Sequence, residues 1–326
     1  MHNSSIFEIH SKFDFEKKCL EVFHFQAENL EIYQKYLQHL NVNHKSINNL
    51  QKIPFLPISL YKTEKIITKN SQHEIIFTSS GTTGSETSKH FVKDLSIYEQ
   101  SFNTAFEYFY GKPQNYCILA LLPSYLEREG SSLIYMTEKL IQKSNNSNSG
   151  FYLTNLDELV EKLKQQEAQK KQSLLIGVSF ALLDLIEKYT LDLKHTLVME
   201  TGGMKGKRKE LTRSELHEVL KKGLGVETIH SEYGMTELLS QAYSDGNGIF
   251  KTPAWMKILI RDVYDPFSYL EIEKTGGINI IDLANLYSCS FIETQDLGKL
   301  KPNNSFEILG RFDAASIRGC NLLINS

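Results

Sequence analysis

No stretch of this sequence approaches the roughly 20 consecutive apolar residues that a helix needs to cross a bilayer, so no membrane span is expected. The opening residues, MHNSSIFEIH, lack the apolar core of a secretion signal. Only four cysteines occur, at positions 19, 117, 289 and 320, far apart and without a C-x-x-C pair. A disulfide framework and a structural zinc site therefore lack their raw material, and the expected compartment is a reducing cytoplasm. Charge of one sign is missing too: 36 Lys and Arg stand against 39 Asp and Glu, a formal −3, which gives nucleic acid no electrostatic hold. The densest basic run (Lys205, Lys207, Arg208, Lys209) is too short for a nucleic-acid arm. What remains is an ordinary globular chain of 326 residues, enough for one large domain or two smaller ones.

The organisation changes along the chain. Residues 14–42 carry apolar positions at three- and four-residue intervals without Pro or Gly, which predicts one or two helices. IPFLPISL (Ile53–Leu60) cannot continue a helix past Pro54 and Pro57 and reads as an extended connection. From Glu74 onward short apolar runs, IIF, YCILALL, SLLIGVS, HTLVME and VETIH, alternate with helical stretches near 94–109, 131–143, 156–171, 180–189 and 210–222. Such alternation predicts an α/β fold around a largely parallel sheet. QKSNNSNSG (142–150) reads as a polar loop. After Pro253 the character shifts to strands and turns (MKILIRD, GGINIIDLA, SCSFIET), which predicts a smaller β-rich part over about 250–310 beside a helical N-terminal part over 1–60.

Four segments can carry chemistry. FTSSGTTGSETSKH (Phe77–His90) starts as a strand and becomes a Ser/Thr/Gly loop, whose converging N–H and hydroxyl groups can wrap phosphate oxygens or simply form a surface loop. It lacks the G-K-[ST] ending of a Walker A loop. In HSEYGMTELLSQAY (His230–Tyr243) a strand leads into Tyr-Gly-Met-Thr-Glu, and a helix is expected from Leu238. There Thr236 and Glu237 either reach a phosphate and its Mg²⁺ or merely cap the helix. ETQDLG (Glu293–Gly298) reads as a strand end whose Asp296 suits a ribose diol, and LGRFD (Leu309–Asp313) as a turn whose Arg311 can contact ribose or phosphate. For both, a solvated turn is the alternative.

In this order the four segments resemble the superfamily of adenylate-forming enzymes: acyl-CoA synthetases, luciferase and the adenylation domains of peptide synthetases. The resemblance implies that superfamily's large-domain fold, an ATP and Mg²⁺ requirement, and roles for particular residues. It places Thr78, Ser79, Ser80, Gly81, Thr82, Thr83, Gly84 and Ser85 on the ATP phosphates, Tyr233 by the adenine with Gly234 and Met235 beside it, Thr236 on the α-phosphate and Glu237 on the metal. Asp296 and Arg311 go to the ribose, and Gly202 and Gly203, within ETGGMKGKR, to a loop beside adenine and acyl group. A closer likeness runs from about residue 50 onward. LLPSYLEREGSSLIYM, ETGGMKGKRKELTRSELH, HSEYGMTELLSQAYS, SCSFIETQDLG and GRFDAASIRGC together resemble the acyl-protein synthetase family, the fatty-acid-activating component of the bacterial luminescence reductase. That likeness implies a fatty acyl substrate and an acyl-accepting reductase or carrier protein as partner. It also makes Glu127, Arg128 and Glu129 of SYLEREGSSL candidates for the acyl or phosphate site, with a solvated turn as the alternative.

In the superfamily the hinge, here GRFDAASIRG, leads to a mobile domain of roughly a hundred residues that carries a catalytic Lys. Only about a dozen residues follow Asp313, so residues 1–310 are expected to form the large domain, 311–326 a shortened hinge and tail, and the lid domain to be absent. Charge on the α-phosphate would then be met by Mg²⁺, Thr236 and a cation such as Lys205, Lys207 or Arg318. The superfamily's loop lysine is displaced as well: Thr87 stands in its place, with Lys89 two positions on. Cys320 is the cysteine at the position where the family carries its acyl group, and Arg318 beside it can lower its pKa. The alternative is that Cys320 is a small buried hydrophobe. The other three cysteines are expected to be structural, and His230 is either a general base, a stacking partner or a structural histidine. Activation with CoA, a carrier protein or a lipid or glycan hydroxyl as acceptor, and a nucleotide-binding scaffold without catalysis, are the competing functions.

Overall fold

The hydroxyl of Ser11 accepts from the Asp14 N–H, and the first helix, α1 (Lys12–Asn29), starts there with an acidic first turn that complements its dipole. Phe15, Cys19, Val22, Phe23 and Gln26 form its buried stripe. Leu30 leaves helical geometry and α2 (Glu31–His39) follows at once, so the helical pattern over 14–42 resolves into two helices. The computed structural model describes residues 6–80, 86–123, 129–202 and 211–311. They fall into two units: 6–76, 88–97 and 251–311 form the first; 77–80, 86–87, 98–123, 129–202 and 211–250 form the second. In the first unit IPFLPISL yields a short strand, β1 (Leu56–Pro57), before one helical turn, α3 (Leu60–Thr63). The strands β2 (Ile75–Thr78) and β3 (Lys89–Val92) flank the Ser/Thr/Gly segment.

The second unit alternates helices and strands until its last two strands, which follow without a helix. In chain order the elements are α4 (Leu95–Tyr110, from Tyr98 onward), β4 (Cys117–Leu121), α5 (Ser132–Ser144), β5 (Gly150–Phe151), α6 (Leu156–Ala168), β6 (Ser173–Val178), α7 (Ser179–Lys188), β7 (Thr196–Thr201), α8 (Arg213–Leu224), β8 (Ile229–Tyr233), β9 (Ala242–Ser244) and β10 (Ile249–Lys251). β5, β4, β6, β7 and β8 lie side by side and parallel. Every residue of β4 and β6 is buried, as expected of strands covered on both faces. α8 opens with a reciprocal capping box between Thr212 and Glu215 and closes at Gly225, which is left-handed at φ 68°. A Cβ there would also come within 2.7 Å of the Asp192 backbone. The 142–150 loop is tied down by its own polar side chains: the Ser149 hydroxyl accepts from the Ile118 N–H and from the Ser144 hydroxyl.

One expected helix is not formed. No helix begins at Leu238; the chain makes a turn, with Leu238 N–H donating to Met235 O, and returns as β9, antiparallel to β8. Leu238, Leu239, Ser240 and Gln241 are all buried in succession, an arrangement that suits a segment wedged in the core and not an amphipathic helix. Thr236 and Glu237 consequently have no helix to cap.

The remainder of the first unit is β-rich. β11 (Met256–Arg261), β12 (Thr275–Asp282), β13 (Phe291–Leu300) and β14 (Phe306–Arg311) form an antiparallel meander, and β1 joins it parallel to β13. Two expectations change here. Asp296 lies inside β13 and not at its end, and Leu309–Arg311 belong to β14 and not to a turn. The core pairs the N-terminal helices with the segment before β13. Phe23 and Tyr33 pack on Phe291, and Gln26, fully buried, donates to Asn285 O and Leu286 O and accepts from the Ser290 N–H. His90 and the Ser288 hydroxyl bond at 2.8 Å in the same core. Among the described residues no helix is long and apolar enough to cross a membrane.

Candidate functional site

In a parallel α/β sheet the strands all point one way, so their carboxyl ends and the following loops gather on a single edge, where ligands bind in such sheets. In the second unit β7 ends at Thr201 with Gly202 next, and β8 ends at Tyr233 with Gly234 next. Thr201 and Glu232 are register partners, so Gly202 and Tyr233 leave the sheet side by side. Gly202 is left-handed (φ 66°), and its carbonyl accepts from the Ser179 hydroxyl at 2.7 Å, at the start of α7. Thr78 reaches the same edge: its N–H donates to the carbonyl of Gly130, just before α5. Tyr233, Gly234, Met235 and Thr236 are half-buried and Glu237 is buried. Thr78 and Ser79 are half-buried and Ser80 is exposed.

Two carboxylates of this edge were not singled out from the sequence. Glu200, the second-last residue of β7, is buried, with Arg213 Nε at 3.4 Å and His217 Nε2 at 3.5 Å from its Oε1. Burial opposes its ionisation, but His217, Arg213 and Ser231 outweigh that and hold the carboxyl below the ordinary range. Glu232, on the opposite face of the adjoining strand, has a hydroxyl donor, Thr201 Oγ1 at 2.5 Å. Burial pushes its pKa up to about 7; the Thr201 bond opposes the rise and the nearby Glu200 charge adds to it. A Cβ on Gly234 would fall within 2.4 Å of Glu232 Oε1, so this carboxyl fills the space a larger residue after Tyr233 would need. A signal was available for Glu200, which follows the apolar run Leu197–Met199 at the carboxyl end of a buried strand.

In the first unit Asp296 and Arg311 are cross-strand partners on β13 and β14, with Arg311 Nε 3.3 Å from Asp296 Oδ1. The Asp296 side chain is mostly buried and its N–H donates to Thr294 Oγ1, whereas the Arg311 side chain is 78% exposed. Sequence separation of 15 residues thus becomes direct contact. His230, on β8, meets aromatic neighbours: its Nδ1 is 3.5 Å from the Tyr110 hydroxyl, and burial lowers its pKa. That environment suits a packed, neutral ring. Cys19, Cys117 and Cys289 are buried and free, and burial raises all three thiols, Cys289 to about 12, which fits structural roles. Glu129 is exposed, and Lys89 is exposed on β3. Gly81, Thr82, Thr83, Gly84, Ser85, Glu127, Arg128, Gly203, Lys205, Lys207, Arg208, Arg318 and Cys320 lie outside the described residues.

The donor types at this edge fit a nucleotide and a hard cation. Tyr233 presents a half-buried ring, backed edge-on by Phe250 at 6.1 Å, as a stacking surface for a base. Thr236 and Glu237 supply a hydroxyl and a carboxylate, oxygen donors of the kind Mg²⁺ takes alongside phosphate oxygens.

The model of the family described as "Acyl-protein synthetase, LuxE" matches residues 7–326, a span that takes in the N-terminal helices. No curated protein sequence matches the chain. Among solved structures, ATP-bound MatB from Rhodopseudomonas palustris is similar with a TM-score of 0.55 at 17% identity, over 72% of this chain and 47% of that one. O-succinylbenzoate Coenzyme A synthetase (MenE) from Bacillus subtilis, in complex with ATP and magnesium, gives 0.52 at 17% identity over 72% and 49%. 2-Hydroxyisobutyryl-CoA ligase in the postadenylation state, in complex with R3-HIB-AMP, gives 0.69 at 10% identity over 92% and 68%. At such identities the likeness establishes the fold, the α/β body of adenylate-forming ligases. The matched region spans about half the length of the MatB and MenE chains.

Proposed function

Because the chain belongs to the LuxE acyl-protein synthetase family, we propose that it activates a carboxylic acid, a fatty acid in the first instance, with ATP and passes the acyl group to a thiol. The observation that carries the reading is the Tyr233–Glu237 turn, which leaves a parallel strand at the ligand-binding edge of the sheet and serves no helix. A carboxylate oxygen of the acid attacks the α-phosphorus; the bond to the β-phosphate's bridging oxygen breaks, and pyrophosphate leaves with that electron pair. Thr236 donates to the α-phosphate as charge builds there, Glu237 holds the metal, and Tyr233 seats the base. Mg²⁺ held at Glu237 would supply positive charge for the phosphate oxygens. Asp296 accepts the ribose hydroxyls, with Arg311 beside it, and the Thr78–Ser85 segment wraps the phosphates.

The acyl-adenylate is then opened by a thiolate: a C–S bond forms, the C–O bond to phosphate breaks and AMP leaves. Cys320 is the proposed acceptor. What supports it is that Cys19, Cys117 and Cys289 are buried with raised thiols and so are poor nucleophiles. A reductase or carrier protein takes the acyl group onward.

The test is carboxylate-dependent ATP–pyrophosphate exchange across acids of increasing chain length. Thr236→Val and Glu237→Gln should each lower exchange about 100-fold, the scale of losing one transition-state donor. Intact mass of wild type and Cys320→Ser after incubation with acid and ATP should show a hydroxylamine-labile acyl adduct on the wild type only. Exchange without that adduct removes the Cys320 step, and a CoA thioester product would put the acceptor outside the chain. ATP binding without exchange for any acid would leave a nucleotide-binding scaffold.

A further inference from the structure

Arg213 opens α8, immediately after the Thr212 cap, and two contacts of its guanidinium lead toward Tyr233. Nε lies 3.4 Å from Glu200 Oε1, and the guanidinium carbon stands 4.9 Å from the centroid of the Phe250 ring. Phe250 is wholly buried, and its ring meets Tyr233 at 6.1 Å with the planes 65° apart. Glu200 has a second partner in His217, 3.5 Å away. Toward Phe250 planarity matters, because a guanidinium stacks on an aromatic face while an ammonium acts as a point charge. The contacts thus run from a fixed carboxylate at the end of β7, through a stacked cation and a buried ring, to the half-buried Tyr233.

We propose that Arg213 is a positioning residue for the nucleotide base: pinned by Glu200 and seated on Phe250, it fixes the Phe250–Tyr233 pair in the orientation on which the base stacks. The inference rests on the acyl-activation reading, in which Tyr233 carries the adenine. It adds that base selectivity is set partly by a side chain that never touches the nucleotide.

The experiment compares wild type, Arg213→Lys and Phe250→Leu by equilibrium binding of ATP and GTP, by competition with inorganic tripolyphosphate, by steady-state exchange and by thermal melting. Both variants should bind ATP about 5- to 10-fold more weakly, the range of a lost cation–π and ring contact. The preference for ATP over GTP should shrink with it, tripolyphosphate competition should stay within twofold, and kcat at saturating ATP should also stay within about twofold. Arg213→Lys keeps the charge next to Glu200, so it remains informative if Phe250→Leu does not fold. Parallel loss of tripolyphosphate binding would overturn the proposal in favour of direct phosphate contact. Unchanged ATP affinity with a lower melting temperature would overturn it in favour of a purely structural role. A wild type that binds tripolyphosphate but discriminates no base, or binds no ATP at all, would instead sink the acyl-activation reading on which it stands.

Discussion

The two faces of the β7–β8 ledge handle the same problem differently. Glu200 and Glu232 are buried carboxylates on adjacent parallel strands, and because side chains alternate along a strand they point to opposite faces. On one face two basic side chains, Arg213 and His217, surround the acid and keep it ionised. On the other a hydroxyl from Thr201 is joined by tyrosines, Tyr98 and Tyr243, whose own pKa values burial and the Glu232 charge drive upward. Burial disfavours the charge on both; on the first face the Arg213 guanidinium and the His217 ring offset it. Burial alone therefore does not say whether a strand-end acid is charged; the partners on its own face decide.

The largest break in that contrast comes from taking those two side chains away. Arg213→Ala with His217→Ala leaves Glu200 buried with hydroxyl partners alone, which should cost about 3–5 kcal/mol in chemical denaturation at neutral pH. Because the wild-type Glu200 pKa is lowered, its contribution is present above the unfolded carboxylate pKa and is lost as pH falls. The gap between variant and wild type should thus narrow toward pH 4, and a gap independent of pH would mean that Glu200 is not the ionised partner.

Glu232→Gln tests the other face. The folded-state pKa near 7 lies above the unfolded value, so the folded chain holds an extra proton between them and wild-type stability falls as pH rises through that window. The variant should escape this loss and gain on wild type by up to about 3 kcal/mol between pH 5 and pH 8. Equal pH slopes in the two proteins would show that the acid is ionised throughout. Thr201→Val is the smallest perturbation: removing the hydroxyl should cost about 1 kcal/mol and move the midpoint of the wild-type pH dependence upward, since the bond favours the charged form. A midpoint moved downward would reverse the assigned role of Thr201.

Much of the α/β body was legible because its strands are unbroken apolar runs and its helices carry ordinary caps; β4, β6 and β7 lie within one residue or so of the runs that announced them. The misses share a physical origin. Leu238–Gln241 reads as a helix because its residues suit one, but four successive buried side chains leave no solvent face. Asp296 and Arg311 read as solvated turns because local pattern carries no information on the pairing of β13 with β14. Glu200 and Glu232 went unflagged because a single charge near a strand's end looks like a strand ending in water; only the folded sheet shows that both are enclosed.

The bond set around Gln26 bears on how this chain comes to exist in a cell. Its side chain joins partners 259 and more positions downstream, so as the polypeptide emerges from the ribosome the N-terminal helices wait for all of those positions to be made before that core can close. The intervening α/β unit, gathered mostly from residues 98–250, has its contacts to hand much earlier. During that interval the apolar stripe of α1, with Phe15, Val22 and Phe23, is bare to solvent or to whatever chaperone meets the nascent chain.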